Sequence, residues 1–172
     1  MEIKHKLISA DSHAGFDRDD FTKRMSAKWG EKIPQIVETK EDGKRIDRWT
    51  VYGEVRHGDV ANCPVLMGEP FPTYPQLYEA IPKAYHDPQA RLAMLDGDGV
   101  DAEILFPNPP GGTFFEPGEV KYELDVVRAY NDTLAEWKRV SDRYVPLAIV
   151  PYLSAPEVIQ KELERAAAAG HR

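Results

Sequence analysis

The stretch that decides the fold is residues 7–13, Leu-Ile-Ser-Ala-Asp-Ser-His, near the amino terminus. It begins as a short apolar run, which favours a β-strand, and it ends with Asp11 and His13. In an extended backbone, residues two positions apart project from the same side of the chain. We therefore expect a strand at residues 7–11, followed by a carboxylate and an imidazole that can reach a common divalent ion.

Two further apolar runs are of similar length. They are residues 102–106, Ala-Glu-Ile-Leu-Phe, and residues 145–150, Val-Pro-Leu-Ala-Ile-Val. Strands that alternate with helices are typical of parallel βαβ units, in which the helices cover the sheet. The sequence therefore predicts an α/β fold with three parallel strands.

The helices expected between these strands have clear signals. Asp87 is a good N-cap and Pro88 suits the first turn of a helix that stops near Gly97 and Gly99. Between the second and third strands, apolar residues recur at spacings of three and four, which predicts a helix of about five turns. Its expected buried face consists of Val120, Leu124, Val127, Tyr130, Leu134 and Trp137.

A last helix is expected after the third strand. Ser154 and Glu157 are spaced as in a capping box, and Gly170 can end the helix. The expected apolar stripe of this helix is Ile159, Leu163 and Ala166.

Residues 14–86 depart from the alternation and are expected to form an insertion. Short helical turns are expected near residues 19–28, and a strand at residues 49–53 is expected after a turn at residues 41–44. A segment rich in proline and aromatic residues follows. Insertions after a barrel strand often lie over the active site, so a cap is the functional interpretation; a packed surface loop or an oligomer contact is the alternative.

Composition limits the class of partner. The 29 acidic residues outnumber the 22 basic ones, and the formal charge of −7 disfavours nucleic acid and anionic lipid. A small molecule is the expected partner. The sequence has neither a secretory leader pattern nor an apolar run of membrane-spanning length, so we expect a soluble cytoplasmic protein. The single cysteine, Cys63, is expected to be an ordinary thiol.

Three blocks of the sequence together resemble the amidohydrolase-related family. They are residues 7–13, residues 91–101 running into 104–107, and residues 129–132 followed by 142–148, and they match in order and spacing. The family includes members similar to aminocarboxymuconate-semialdehyde decarboxylase. The resemblance implies a (β/α)8 TIM-type barrel around one metal centre. Because such barrels typically need around 250 residues, we expect only the first three βα units here, with the insertion after the first strand.

The resemblance also assigns metal ligands. The family's first ligand pair falls on Asp11 and His13, where many relatives have two histidines and some have an acid first. The implied cofactor is one divalent ion, with zinc first and manganese or iron as alternatives. The family's later histidine and aspartate ligands have no counterpart here, and the catalytic base is expected on a later strand. The remaining histidines, which we expect on the surface or in loops, are His5, His57, His86 and His171.

Three other polar residues are weaker candidates. Asn108 follows the second strand and is a candidate substrate contact, although an Asn beside Pro and Gly is also typical of a turn. Arg48 and Arg56 lie in the insertion and are able to pair with a substrate carboxylate, with a solvated surface position as the alternative.

The implied function is a metal-dependent hydrolase that acts on a small organic substrate. A metal-dependent decarboxylase of the same family is one alternative. A non-catalytic fragment, or a half-barrel subunit that needs a partner chain, is the other. A homo-oligomer or a chain that completes the barrel is the expected protein partner, and we expect weak or no activity from this chain alone.

Overall fold

The computed structural model describes residues 6–56, 60–61, 74–106, 108 and 117–172. The strands in these ranges are β1 (Ile8–His13), β2 (Gln35–Glu41), β3 (Lys44–Val51), β4 (Glu54–Val55), β5 (Ala102–Phe106) and β6 (Tyr144–Pro146). The α-helices are α1 (Asp20–Arg24), α2 (Pro88–Asp98), α3 (Val120–Val140) and α4 (Pro156–Ala168). Short 3₁₀ segments lie at Ala27–Lys32, Tyr78–Ala80 and Lys83–Tyr85.

The parallel sheet has the order β1-β5-β6, which confirms the predicted α/β fold with three parallel strands. Helix α2 precedes β5, α3 connects β5 to β6, and α4 follows β6. The ladder places Ile8 opposite Ala102 and His13 opposite Phe106. The register shifts between Ser9 and Ser12, as in a β-bulge. A bulge bends the strand and changes the direction of its side chains, here around Asp11.

The third strand is shorter than predicted. It ends at Pro146 rather than at residue 150. The neighbouring strand β5 ends at Phe106. Just past the end of β6, the Leu147 amide still donates a hydrogen bond to the Leu105 carbonyl of β5, at 3.0 Å. Further along, the Ile149 amide bonds instead to the side-chain oxygen of Asn131 at 3.0 Å. Residues 147–150 therefore lie outside the strand, in irregular structure.

A second, antiparallel sheet of order β2-β3-β4 lies within residues 14–86. The predicted turn at residues 41–44 is confirmed, with positive φ at Asp42 and Gly43 as a two-residue hairpin requires. The predicted strand at residues 49–53 is partly wrong, since Tyr52 and Gly53 form the turn from β3 to β4. Most of the proline-rich segment, together with Cys63, lies outside the described residues.

Helix α3 provides the centre of the hydrophobic core. It packs against α1, α2, α4 and β6. Its prediction was correct in place and largely in face. Val127, Tyr130, Leu134 and Trp137 are buried as expected, whereas Val120 is 45% exposed and Leu124 is only half-buried. The buried apolar side chains of α3 are Tyr122, Val126, Val127, Ala129, Tyr130, Leu134, Ala135 and Trp137. Within the described residues, no helix combines the length and apolarity that a bilayer crossing requires.

The predicted cap of α2 is confirmed. The Asp87 carboxylate accepts hydrogen bonds from the amides of Gln89 and Ala90 at 2.8 and 3.2 Å. Gly99 ends the helix in the left-handed region, with φ of 69°, a conformation that side chains with a Cβ rarely adopt.

The predicted capping box of α4 is wrong. The N-cap is Ala155, whose methyl group cannot accept a hydrogen bond from the first helical amides. Ser154 precedes the N-cap and is buried. The predicted apolar stripe is also only partly buried, since Leu163 is exposed while Glu162 and Ala166 are buried. Glu162 faces α3 because it accepts hydrogen bonds from an arginine and an asparagine there.

Candidate functional site

The predicted ligand pair comes together at the carboxyl end of β1. The His13 Nε2 atom lies 3.4 Å from the Asp11 Oδ1 atom, and the two side chains are 41% and 85% exposed. The Phe106 ring, on the paired strand, lies 6.1 Å from the His13 ring between centroids. The two polar groups are thus adjacent, open to solvent on one side and bordered by an aromatic ring on the other.

The spacing of these two atoms fits a shared metal ion. Ligand atoms about 2.0–2.2 Å from a tetrahedral Zn²⁺ ion lie about 3.3–3.6 Å from each other. The observed 3.4 Å between nitrogen and oxygen falls in that interval. An ion pair between a protonated His13 and Asp11 is the alternative explanation of the same distance.

The described part of the chain brings two candidate ligands, Asp11 and His13, together at this position. Within residues 6–56, 60–61, 74–106, 108 and 117–172, no group of three or more His, Cys, Asp or Glu side chains is arranged to hold a metal. Catalytic zinc sites usually have three protein ligands. A zinc site of that kind at Asp11 and His13 would need a further ligand from outside the described residues.

Asn108 lies two residues after the end of β5, and it is buried rather than open to a substrate. Its Nδ2 atom donates a hydrogen bond to the Tyr85 hydroxyl at 2.6 Å. Tyr85 also accepts a hydrogen bond at its carbonyl from the Gly15 amide, at 2.7 Å. Burial strongly raises the pKa of the Tyr130 hydroxyl, and the nearby Asn108 backbone partly opposes that rise.

The two candidate arginines have different surroundings. Arg48 forms an ion pair with Glu41 at 2.9 Å. Arg56 lines a cavity of about 200 Å³ together with Tyr52, Glu54 and Pro117. Arg56 is therefore the better placed of the two to meet a small ligand.

Two of the remaining histidines are described. His86 is half-buried and lies against the Tyr78 ring, with centroids 5.6 Å apart. The expectation of a surface position is wrong for His171, which is 2% exposed and whose Nε2 atom donates to the Asn131 carbonyl at 2.8 Å. The end of α4 folds back onto α3, and this buries the ring. His5 and His57 lie outside the described residues.

Tyr85 is the residue of this region that sequence reasoning missed. It sits 70 positions after Gly15 and 23 before Asn108, so no local spacing connects the three. The one available signal was Gly15, a residue without a Cβ directly after the ligand pair.

Comparison with known proteins identifies the fold. No family model and no curated protein matches the sequence. Among solved structures, the chain is similar to the amidohydrolase map2389c of Mycobacterium avium subsp. paratuberculosis K-10, with a TM-score of 0.68 and 20% identity over 99% of this chain and 49% of that chain. It is also similar to the apo form of Metarhizium anisopliae IDCase, with a TM-score of 0.57 and 12% identity over 96% of this chain and 40% of that chain.

These likenesses define the class of fold. The chain has an α/β fold with a parallel sheet that is similar to part of an amidohydrolase structure, while the predicted partial barrel stays a prediction. It spans about half or less of the length of each of the two solved structures.

Proposed function

We propose that this chain forms the first ligand-bearing part of a metal-dependent hydrolase that acts on a small organic substrate. The observation that carries the proposal is the approach of Asp11 and His13 to 3.4 Å at the carboxyl end of the first parallel strand. In parallel βα folds this edge collects catalytic groups, because the connecting loops converge there. The similarity to an amidohydrolase structure supports the same class of activity.

The chemistry that this part of the chain contributes is binding and orientation. When bound, a divalent ion, zinc in the first instance, supplies Lewis-acid activation of water and of a substrate oxygen. Asp11 and His13 would hold the ion, and the Phe106 ring beside His13 would restrict water on that side. Decarboxylation by a related enzyme would use the same two ligands, so the reaction products distinguish the two activities.

A half-barrel subunit that needs a partner is the second candidate, and a specific observation favours it. Ile8 and Phe106, on the two paired strands, are 48% and 36% exposed, although parallel sheets are normally covered on both faces. The Arg172 amide donates to the Pro146 carbonyl of β6 at 3.0 Å, the type of bond that starts a further parallel strand. A partner that adds strands would cover this surface and bring the missing ligands.

An activity assay tests the proposal. The purified chain, loaded with Zn²⁺, Mn²⁺ or Fe²⁺, is incubated with esters, amides and aromatic carboxylic acids while hydrolysis and CO₂ release are followed separately. We expect weak turnover or none, and expect that any turnover disappears with a chelator and with His13→Ala. His86→Ala is the matched control and should leave turnover unchanged. Turnover that survives His13→Ala would contradict the proposed site, and robust turnover by the chain alone would contradict the half-barrel interpretation.

A further inference from the structure

We propose that Tyr85 is a positioning residue for the ligand pair. It ties the backbone just after His13 to Asn108 at the end of the neighbouring strand, and thereby fixes where the imidazole points. This inference rests on the proposed role of His13 as a metal ligand and goes beyond it by naming the group that holds that ligand in place.

The first half of the link is between Tyr85 and Gly15. The Gly15 amide donates to the Tyr85 carbonyl at 2.7 Å. The Tyr85 ring lies so close to the Gly15 backbone that a Cβ added there would be 1.9 Å from its Cε1 atom and 2.2 Å from its Cδ1 atom. Only glycine permits this approach, because any other residue would push the ring away.

The second half of the link is between Tyr85 and Asn108. The Asn108 side chain donates to the Tyr85 hydroxyl at 2.6 Å, and both residues are 3% exposed. His13 and Phe106 are opposite each other in the ladder, and Gly15 and Asn108 each follow two residues later. Tyr85 therefore bridges the two strand ends immediately beyond the ligand pair.

The backbone around Gly15 is also anchored on its other side. Ala14 and Phe16 are buried, and the Phe16 ring lies 4.9 Å from the Tyr130 ring. A rigid segment directly after a half-exposed ligand limits the directions that the ligand can take. Groups that hydrogen-bond directly to a metal ligand typically contribute about 10-fold to 100-fold in metal affinity. Because Tyr85 acts through the backbone at Gly15, we expect an effect at the lower end of that range.

Two variants break the link at different points. Tyr85→Phe removes only the hydroxyl that Asn108 contacts, and Gly15→Ala displaces the ring. Tyr144→Phe is the matched control, because it also removes one buried hydroxyl, which donates to the Pro88 carbonyl at 2.5 Å. Tyr144 lies on β6, which pairs with β5 and is separated from β1 by that strand.

The test uses the isotope-labelled full chain and two readouts. The first is the NMR signals of the His13 ring without metal, and the second is Zn²⁺ affinity by calorimetry. We expect Tyr85→Phe and Gly15→Ala to shift or broaden the His13 signals and to weaken Zn²⁺ binding about tenfold. Tyr144→Phe should leave both unchanged while lowering stability.

The outcomes separate this inference from the proposed function. Unchanged His13 signals in both Tyr85→Phe and Gly15→Ala would overturn the role of Tyr85. If His13→Ala leaves Zn²⁺ binding unchanged, the proposed metal site fails, and the metal-free His13 signals still decide for or against Tyr85. Should Gly15→Ala fail to fold, Tyr85→Phe, which loses a single oxygen atom, carries the test.

Discussion

At the scale of single residues, His171 shows how packing changes the chemistry of a side chain. Its ring is 2% exposed, and its Nε2 atom donates to the Asn131 carbonyl. Burial lowers the pKa of His171 from its ordinary value of 6.5, and the positive charge of Arg165 lowers it further. The folded chain therefore keeps this imidazole neutral at a pH where the unfolded chain binds a proton.

This difference predicts a pH-dependent stability. Above about pH 6.5 the imidazole is mainly neutral in both states, so the contribution of His171 to the free energy of unfolding is present. As the pH falls through that value toward the lower folded pKa, the unfolded state gains protons and stability is lost. His171→Gln keeps an N–H donor and does not titrate, so we expect urea denaturation to show a shallower acid loss than in the wild type. If the free energies of unfolding of His171→Gln and the wild type change in parallel between about pH 5 and pH 8, this role of His171 is contradicted.

At the scale of secondary-structure elements, a buried ion pair connects α2 to the centre of the parallel sheet. The Arg91 Nε and Nη2 atoms donate to the two carboxylate oxygens of Glu103, at 3.0 and 2.8 Å. The two side chains are 8% and 1% exposed. Removing one partner leaves the other as an uncompensated buried charge.

We therefore expect Arg91→Met to lower the free energy of unfolding by about 3–5 kcal/mol. The double variant Arg91→Met with Glu103→Leu should recover much of that loss, because neither charge remains. Urea denaturation of the single and double variants measures both effects. Lys23→Met, which breaks the exposed ion pair with Asp19, serves as the control and should leave the midpoint unchanged. A double variant no more stable than Arg91→Met would show that the buried charge is not the cause.

The same elements explain how far the sequence could predict the structure. The positions of the three parallel strands and the cap at Asp87 follow from residues within a few positions of each other, so local patterns predicted them, whereas β2 was not predicted. Glu103 and Glu162 are buried charged residues whose burial depends on partners on other elements, Arg91 for Glu103 and Arg128 and Asn131 for Glu162. The contacts of Tyr85 with Gly15 and Asn108 likewise join residues far apart in sequence, so the local sequence pattern could not predict them. The proximity of Asp11 and His13 was predictable because the two residues lie two positions apart on one strand.

At the scale of the whole molecule, the parallel sheet has open edges at β1 and β6 within the described residues. Two exposed apolar side chains lie on this sheet, Ile8 on the edge strand β1 and Phe106 at the end of the central strand β5. The solved structures similar to this chain are about twice its length or more. A partner that supplies further parallel strands would pair the edges and add ligands to the exposed side of Asp11 and His13.

The most direct test of this account is metal titration of the purified chain, with Co²⁺ absorption and Zn²⁺ calorimetry as readouts. We expect one ion per chain, bound more weakly than in a site with three protein ligands, and lost in both Asp11→Asn and His13→Gln. His86→Gln should bind as the wild type does. Binding that is unchanged in Asp11→Asn and His13→Gln, or the absence of any bound ion, would contradict the claim that these two residues hold a metal.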